Sequence, residues 1–340
     1  MSGSGESGYK RAGVDLDAAA RSLDLITHAV ESTYTPGVIS GLGSFGGLFA
    51  VPDGYGSPVL VASTDGVGTK VMVASALADQ PGVLEGIGRD LVNHCVNDIL
   101  VQGARPLFFL DYVASSALDP ETVARVVSGV ATACRAAGAA LLGGETAEMP
   151  GVYRQGEFDL VGTVVGIVDR ADVVDGRDVV PGDAILALPS GGLQTNGFSL
   201  ARSVLAGSYH EVLPSGQTVG AALLAEHRSF LDVVWPLLAG SDVKAMAHIT
   251  GGGLPGNLLR GVPRGLGADV RRGSWHEPEV FGLIETRGAI TTDEMFRVFN
   301  MGVGFALVTA HGAAERLVEA SEGSLVRIGT ITDGGGVRIA

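Results

Sequence analysis

Short aliphatic runs of strand length alternate with longer helix-patterned segments through the first half of this 340-residue chain, and a carboxylate follows three of the runs. The runs are 58–63, 106–110 and 139–142, and the carboxylates are Asp65, Asp111 and Glu145. Such alternation selects mixed αβ layers. In open α/β sheets, ligands gather beyond the carboxyl ends of strands. Carboxylates clustered there repel one another unless a cation neutralises them, and hard oxygen donors suit Mg²⁺. The pattern points to a metal-assisted enzyme rather than a scaffold.

The alternation continues with helices expected over 82–102 and 120–138, the second with Asp119 as N-cap and Pro120 in its first turn, and with a strand over 159–168. Residues 169–182, rich in charge, Gly and Pro, read as a linker between domains at 1–170 and 171–340. Beyond it the pattern predicts strands at 184–188, 243–249 and 304–309. Helices are expected near 198–206, 221–238, 254–260 and 313–320, with a terminal strand pair from about 325.

A net charge of −14 argues against nucleic acid as the main partner, because phosphate backbones are bound by basic surfaces. Residues 1–8 read as a flexible leader without the basic and apolar regions of a signal peptide. No apolar run approaches the roughly 20 residues that span a bilayer, so a soluble, cytoplasmic protein is expected. Cys95 and Cys134 fall within helices and read as buried free thiols. The 52 glycines cluster in turns, which suggests tight loops close to a ligand.

The helix at 82–102 places Leu84, Ile87, Leu91, Cys95 and Ile99 on one apolar stripe, with Asp98 at its flank and Asp90, His94 and Asn97 on the adjoining polar strip. A carboxylate so placed needs a hydrogen bond, a metal or a partner such as Arg105. In TDGVGTK at 64–70, Gly66 and Gly68 admit a ligand to the backbone, Thr69 offers a hydroxyl and Lys70 a positive charge, although the spacing is not that of a P-loop. Beside the carboxylates, these parts suit a Mg-nucleotide. The loop GLGSFGG at 41–47, with Gly43 and Gly46, reads as a lid or a plain connection. SGGLQTNG at 190–197 and TGGG at 250–253 each open a helix and suit an anionic substrate, whereas His248 reads as a satisfied core residue.

Together these segments resemble the phosphoribosylformylglycinamidine cyclo-ligase (aminoimidazole ribonucleotide synthetase) family. The strings are YKRAGVD (9–15), GLGSFG (41–46), DGVGTK (65–70), CVND (95–98), QGARPLFFLDY (102–112) and GGETAEMPG (143–151), then TNGFS (195–199), HITGGG (248–253) and EMFRVFNMGVG (294–304). The DGVGTK and ND segments are shared with a wider superfamily that includes thiamine monophosphate kinase, whereas GGETAEMPG and LFFLDY are far more specific to the cyclo-ligase. The chain departs at Gln194, where several relatives have His, and at Met301, where many have Cys.

The resemblance implies a two-domain α/β fold, with an N-terminal mixed-sheet domain that dimerises and a C-terminal αβ domain. It implies ATP-dependent closure of formylglycinamidine ribonucleotide to aminoimidazole ribonucleotide. It assigns Mg²⁺ to Asp65, Asp98 and Glu145, and ATP contacts to Gly43, Gly46, Gly66, Gly68, Thr69, Lys70, Asn97 and Asp111. Asp65, Lys70 and Asp98 are then the expected catalytic groups. Substrate contacts fall on Thr195, Asn196, Gly197, Thr250, Gly251, Gly252 and Gly253. A small-molecule kinase on the same fold, or a nucleotide-binding subunit without activity, are the alternatives.

Overall fold

The computed structural model describes residues 8–11, 13–240 and 242–340. Apart from Gly8, the expected leader lies outside the described residues. The helices are α1 (Gly8–Arg11), α2 (Leu16–Glu31), α3 (Lys70–Ala76), α4 (Val83–Leu100), α5 (Pro120–Ala137), α6 (Phe198–Leu205), α7 (Val219–Leu223), α8 (Leu231–Val234), α9 (Gly253–Asn257), α10 (Glu279–Gly288), α11 (Thr292–Val298) and α12 (Ala314–Ala320). The strands are β1 (Pro58–Gly66), β2 (Arg105–Ser115), β3 (Ala140–Glu148), β4 (Phe158–Asp169), β5 (Ala184–Pro189), β6 (Val243–His248), β7 (Leu266–Val270), β8 (Val303–Thr309), β9 (Val326–Asp333) and β10 (Gly336–Ile339). The chain forms two compact units. One draws on Met1–Gly54, Ala62–Cys95 and Pro106–Val165, the other on Tyr55–Val61, Val96–Arg105 and Gly166–Ala340.

One sheet is four-stranded, of order β1-β4-β2-β3, in which β2 and β3 run parallel. Phe109 of β2 is fully buried against Leu91 of α4, and both press on the backbone at Gly162. The expected apolar stripe of α4 is the buried one: Leu84, Ile87, Leu91, Cys95 and Ile99 are at most 3% exposed. Burying side chains of this size contributes about 1.5–3 kcal/mol each. α4 and α5 cross in backbone contact, since a Cβ at Gly129 would lie 1.9 Å from the Glu85 carbonyl and one at Gly88 2.1 Å from that of Val126. α5 begins as its sequence predicts, with the Asp119 carboxylate accepting from the Thr122 amide and Pro120 behind it.

The second unit holds a six-stranded sheet of order β10-β7-β9-β5-β8-β6. β5 lies antiparallel between β8 and β9, β6 borders β8, and β10 is parallel to β7. The interior strands read as near-continuous apolar runs because both faces are covered; every residue of β8 is buried.

Several expected boundaries differ. Asp65, Asp111 and Glu145 stand inside β1, β2 and β3 rather than beyond them, because the β2–β3 ladder runs on to Ser115 and Glu148. The single helix expected over 221–238 is broken. The backbone at Arg228 and Phe230 is claimed by the Asn97 side chain, and Pro236 lies in a 3₁₀ turn over Trp235–Ala239. The helix expected at 254–260 is only five residues long, and its Asn257 side chain turns back onto the carbonyls of Thr250, Gly251 and Gly253. The terminal strands exist but do not pair with each other, since β7 lies between them. β7, α10 and α11 have no counterpart in the expected pattern; β7 carries Gly and Asp, and its strand form depends on partners distant in sequence.

Candidate active site

In the first unit, Asp65 stands near the end of β1 with its Oδ2 3.0 Å from His94 Nε2 on α4. Its side chain is 45% exposed while that of His94 is 3% exposed, so the histidine holds the carboxylate from the protein side. Lys70 is placed otherwise than expected. It is fully buried at the start of α3, with Nζ 2.7 Å from Asp90 Oδ2, which is itself 1% exposed. A buried ammonium paired in this way is a structural tie between α3 and α4, and the phosphate contact expected of Lys70 does not fit it. Thr69 precedes α3 without capping it through its side chain. The Gly66 amide donates to Asp65 Oδ1 at 2.7 Å. Beside Gly43, Gly46 and Gly68 there is open space, as ligand-facing loops require.

Asp111 and Glu145 line one cavity of about 240 Å³, together with Ser22, Gly144, Thr146 and apolar side chains of α2 and α5. The Asp111 carboxyl lies directly over Gly144, where a Cβ would come within 2.0 Å of Oδ1. Only glycine fits before Glu145. Burial pushes Asp111 up to about 7, and no cationic side chain among the described residues offsets it. Leu42 of the glycine loop reaches the same cavity, its amide held by the Tyr34 hydroxyl at 2.8 Å. Glu148, which sequence reasoning passed over within GGETAEMPG, accepts from the backbone amides of Asp15 and Leu118. It anchors the entry to α2, the helix that walls the cavity.

The sheet order separates Asp65 from Glu145. They belong to the two outer strands, with β4 and β2 between them. At about 4.8 Å per strand step their backbones stand on the order of 14 Å apart, too far for one ion's inner sphere. The expected single cluster is corrected accordingly: Asp65 lies against His94, whereas Glu145 pairs with Tyr112 in the β2–β3 register, one position beyond the Asp111–Gly144 pair, so its side chain projects from the opposite face to Asp111.

In the second unit, Asp98 is oriented by His248, whose Nδ1 lies 2.8 Å from Oδ1. The reading of His248 as a core residue apart from the chemistry is therefore corrected, although it is buried. Asn97, expected to face ATP, is fully buried with both ends of its amide engaged: Nδ2 donates to Arg228 O at 2.8 Å and Oδ1 accepts from Phe230 N at 2.9 Å. The turns at 190–197 and 250–253 do meet, with Asn196 Oδ1 3.3 Å from the Cβ position of Gly251. Ser190 and Asn300 lock the first turn through the Gly192 carbonyl. Within that turn, Gln194 holds a left-handed backbone (φ +62°) and is 1% exposed. Both polar atoms of its amide, and Nδ2 of Asn196, have no protein partner. Buried unpaired amides are rare and mark a place where a ligand or water completes the bonding. The second turn opens only the five-residue α9, so the dipole expected there is small.

Two family models match the chain: the N-terminal domain of AIR synthase related proteins matches residues 50–168, and the C-terminal domain matches 180–340. The chain belongs to the AIR synthase related family. Within that class it is 48% identical over 306 residues to the phosphoribosylformylglycinamidine cyclo-ligase of Desulfitobacterium hafniense, covering 88% of each chain. It is also 48% identical over 336 residues to the protein of that name from Anaeromyxobacter sp. strain K, covering 96% of each. The fold is shared with thiamine-monophosphate kinase from Stenotrophomonas maltophilia, with a TM-score of 0.68 at 19% identity over 93% of this chain and 95% of that one.

Proposed function

We propose that this protein is a ligase that uses ATP to close 5′-phosphoribosylformylglycinamidine into 5-aminoimidazole ribonucleotide, releasing ADP and phosphate. The observation that carries the reading is near-half identity to cyclo-ligases over almost the whole chain. A kinase on the same fold has far less support, because likeness at 19% identity speaks only to the fold.

The chemistry asked of the protein is activation of a poor electrophile. The formamide oxygen attacks the γ-phosphorus and displaces ADP, leaving an iminophosphate. The amidine nitrogen then attacks the formyl carbon, phosphate departs with the C–O electron pair, and the nitrogen gives up a proton as the ring becomes aromatic. Positioning and charge stabilisation are the protein's main tasks in such steps.

ATP is assigned to the first unit, with the 41–47 loop beside it and the Asp111–Glu145 cavity below. The residues fit a hard divalent cation, since Asp111 and Glu145 supply oxygen donors and the Asp111 carboxyl lacks a compensating charge. Bound Mg²⁺ would neutralise the phosphates; the Asp111 carboxyl would offer an oxygen from the cavity, and Asp65, placed against His94, and Glu145 would each offer one from the two edges of the sheet. In the second unit, Asp98 is the proposed acidic ligand, oriented by His248. Thr195, Asn196 and the unpaired Gln194 amide are assigned to substrate, whose formamide and amidine can both give and take hydrogen bonds.

A homodimer formed through the first unit belongs to the same reading. Leu110 points away from the helix-covered face and is 37% exposed, and Ile39, Leu48 and Val51 are exposed on the loop whose Phe49 packs on Phe108.

The test is ADP release that depends on formylglycinamidine ribonucleotide, with the imidazole product detected by mass. ADP release stimulated instead by thiamine monophosphate, with a phosphorylated product, would overturn the assignment.

A further inference from the structure

A line of four polar groups crosses the second unit and is larger than any role assigned so far. His248 Nδ1 lies 2.8 Å from Asp98 Oδ1, His248 Nε2 lies 3.1 Å from His227 Nε2, and His227 Nδ1 lies 3.2 Å from Thr195 Oγ1. His227 is fully buried and His248 is 6% exposed, their rings meeting edge-on with centroids 5.2 Å apart. At both ends stand groups already assigned to chemistry: Asp98 at one, the 190–197 turn at the other.

We propose that His227 is a positioning residue that fixes the tautomer of His248, and through it the aim of Asp98, while holding the 190–197 turn by Thr195. Hydrogen-bond valence gives the direction. An ionised carboxylate only accepts, so His248 carries its hydrogen on Nδ1. Neutral His248 then presents a lone pair at Nε2, and His227 must donate from its own Nε2. That leaves His227 Nδ1 as an acceptor, filled by the Thr195 hydroxyl. Reversing the chain requires a second proton on His248 and an imidazolium facing a ring with almost no access to water, which is costly. With both rings neutral and the carboxylate ionised, one arrangement satisfies all four ring nitrogens.

The backbone is built to hold His227 in this line. The helix that its neighbours would otherwise form is interrupted between α7 and α8, and Asn97 clamps the carbonyl of Arg228 and the amide of Phe230. Asn97 directly precedes Asp98. The loop carrying His227 is thus tied to the helix carrying Asp98 twice, once through its backbone and once through His248. Partners of a ligating or reacting group are worth about 10- to 100-fold in activity or metal affinity when removed.

The effect on turnover rests on the ring-closure reading, whereas the tautomer pattern does not. The experiment is long-range ¹H–¹⁵N correlation on the full chain labelled with ¹⁵N-histidine and free of metal, on the wild type, H227F and H227Q. The expected wild-type pattern is His248 protonated at Nδ1 alone and His227 at Nε2 alone. Protonation of His248 at Nε2, or at both nitrogens, overturns the proposal. In H227F the His248 tautomer is expected to become mixed, and kcat to fall about 10- to 100-fold with KM for ATP within about twofold. H227Q, whose amide can still donate to His248 Nε2, is expected to restore the Nδ1–H form and most of kcat. An unchanged His248 tautomer in H227F, or full turnover despite a changed one, overturns the positioning role. Wild type with the expected nitrogen pattern but no ring closure would instead strike at the proposed reaction alone.

Discussion

At the scale of single residues, the candidate carboxylates differ in their surroundings. Asp65 has a histidine against it, Asp98 has another, and Asp111 has neither, only buried surface and a small cavity. That difference has a measurable sign. The folded value of Asp111 near 7 lies above the 3.8 of an ordinary aspartate, so the folded state binds the proton more tightly than the unfolded one. Its contribution to stability is fully present below about pH 4 and is lost as pH rises through about 7. Metal-free wild type should therefore lose about 2 kcal/mol relative to Asp111→Asn between pH 4 and pH 8, allowing for solvent that reaches the cavity. Urea unfolding at stepped pH measures it. Mg²⁺ should shrink the difference near neutrality; parallel pH curves would remove the argument for an uncompensated carboxyl.

At the scale of elements, the pattern of apolar positions carried most of the information. The stripe from Leu84 to Ile99 and the Asp119–Pro120 start of α5 were legible because each depends on neighbours three or four residues away. Lys70 was not. Its position in TDGVGTK suits a phosphate, and only the packing of α3 on α4 shows its ammonium held by Asp90. The two roles predict different losses. Lys70→Met should remove the ammonium that faces the buried Asp90 and lower stability by about 3–5 kcal/mol, and replacing Asp90 by Leu as well should recover much of that. A phosphate ligand would instead raise KM for ATP with the unfolding midpoint unchanged. The interruption between α7 and α8 is not legible in the sequence for a similar reason: the group that stops the helix, Asn97, is more than a hundred residues away.

At the scale of the molecule, the αβ alternation agrees with a mixed α/β fold on two sheets, and among the described residues no helix is long and apolar enough to cross a membrane. Sedimentation is expected to give twice the mass of one chain, and Leu110→Lys to shift it toward one chain while the thermal midpoint changes little. A monomeric wild type would remove dimerisation from the reading. By itself the sequence determined the kind of elements, the buried stripe and the residues that carry charge, since those follow from spacing along one helix or strand. It could not determine which carboxylates share a cavity, because sheet order is set by pairings across the chain: β4 and β2 part Asp65 from Glu145, and the β2–β3 register sets Asp111 over Gly144. Nor could it show that His227, in a segment patterned as plain helix, meets His248. That contact exists only because a distant amide holds the intervening backbone open.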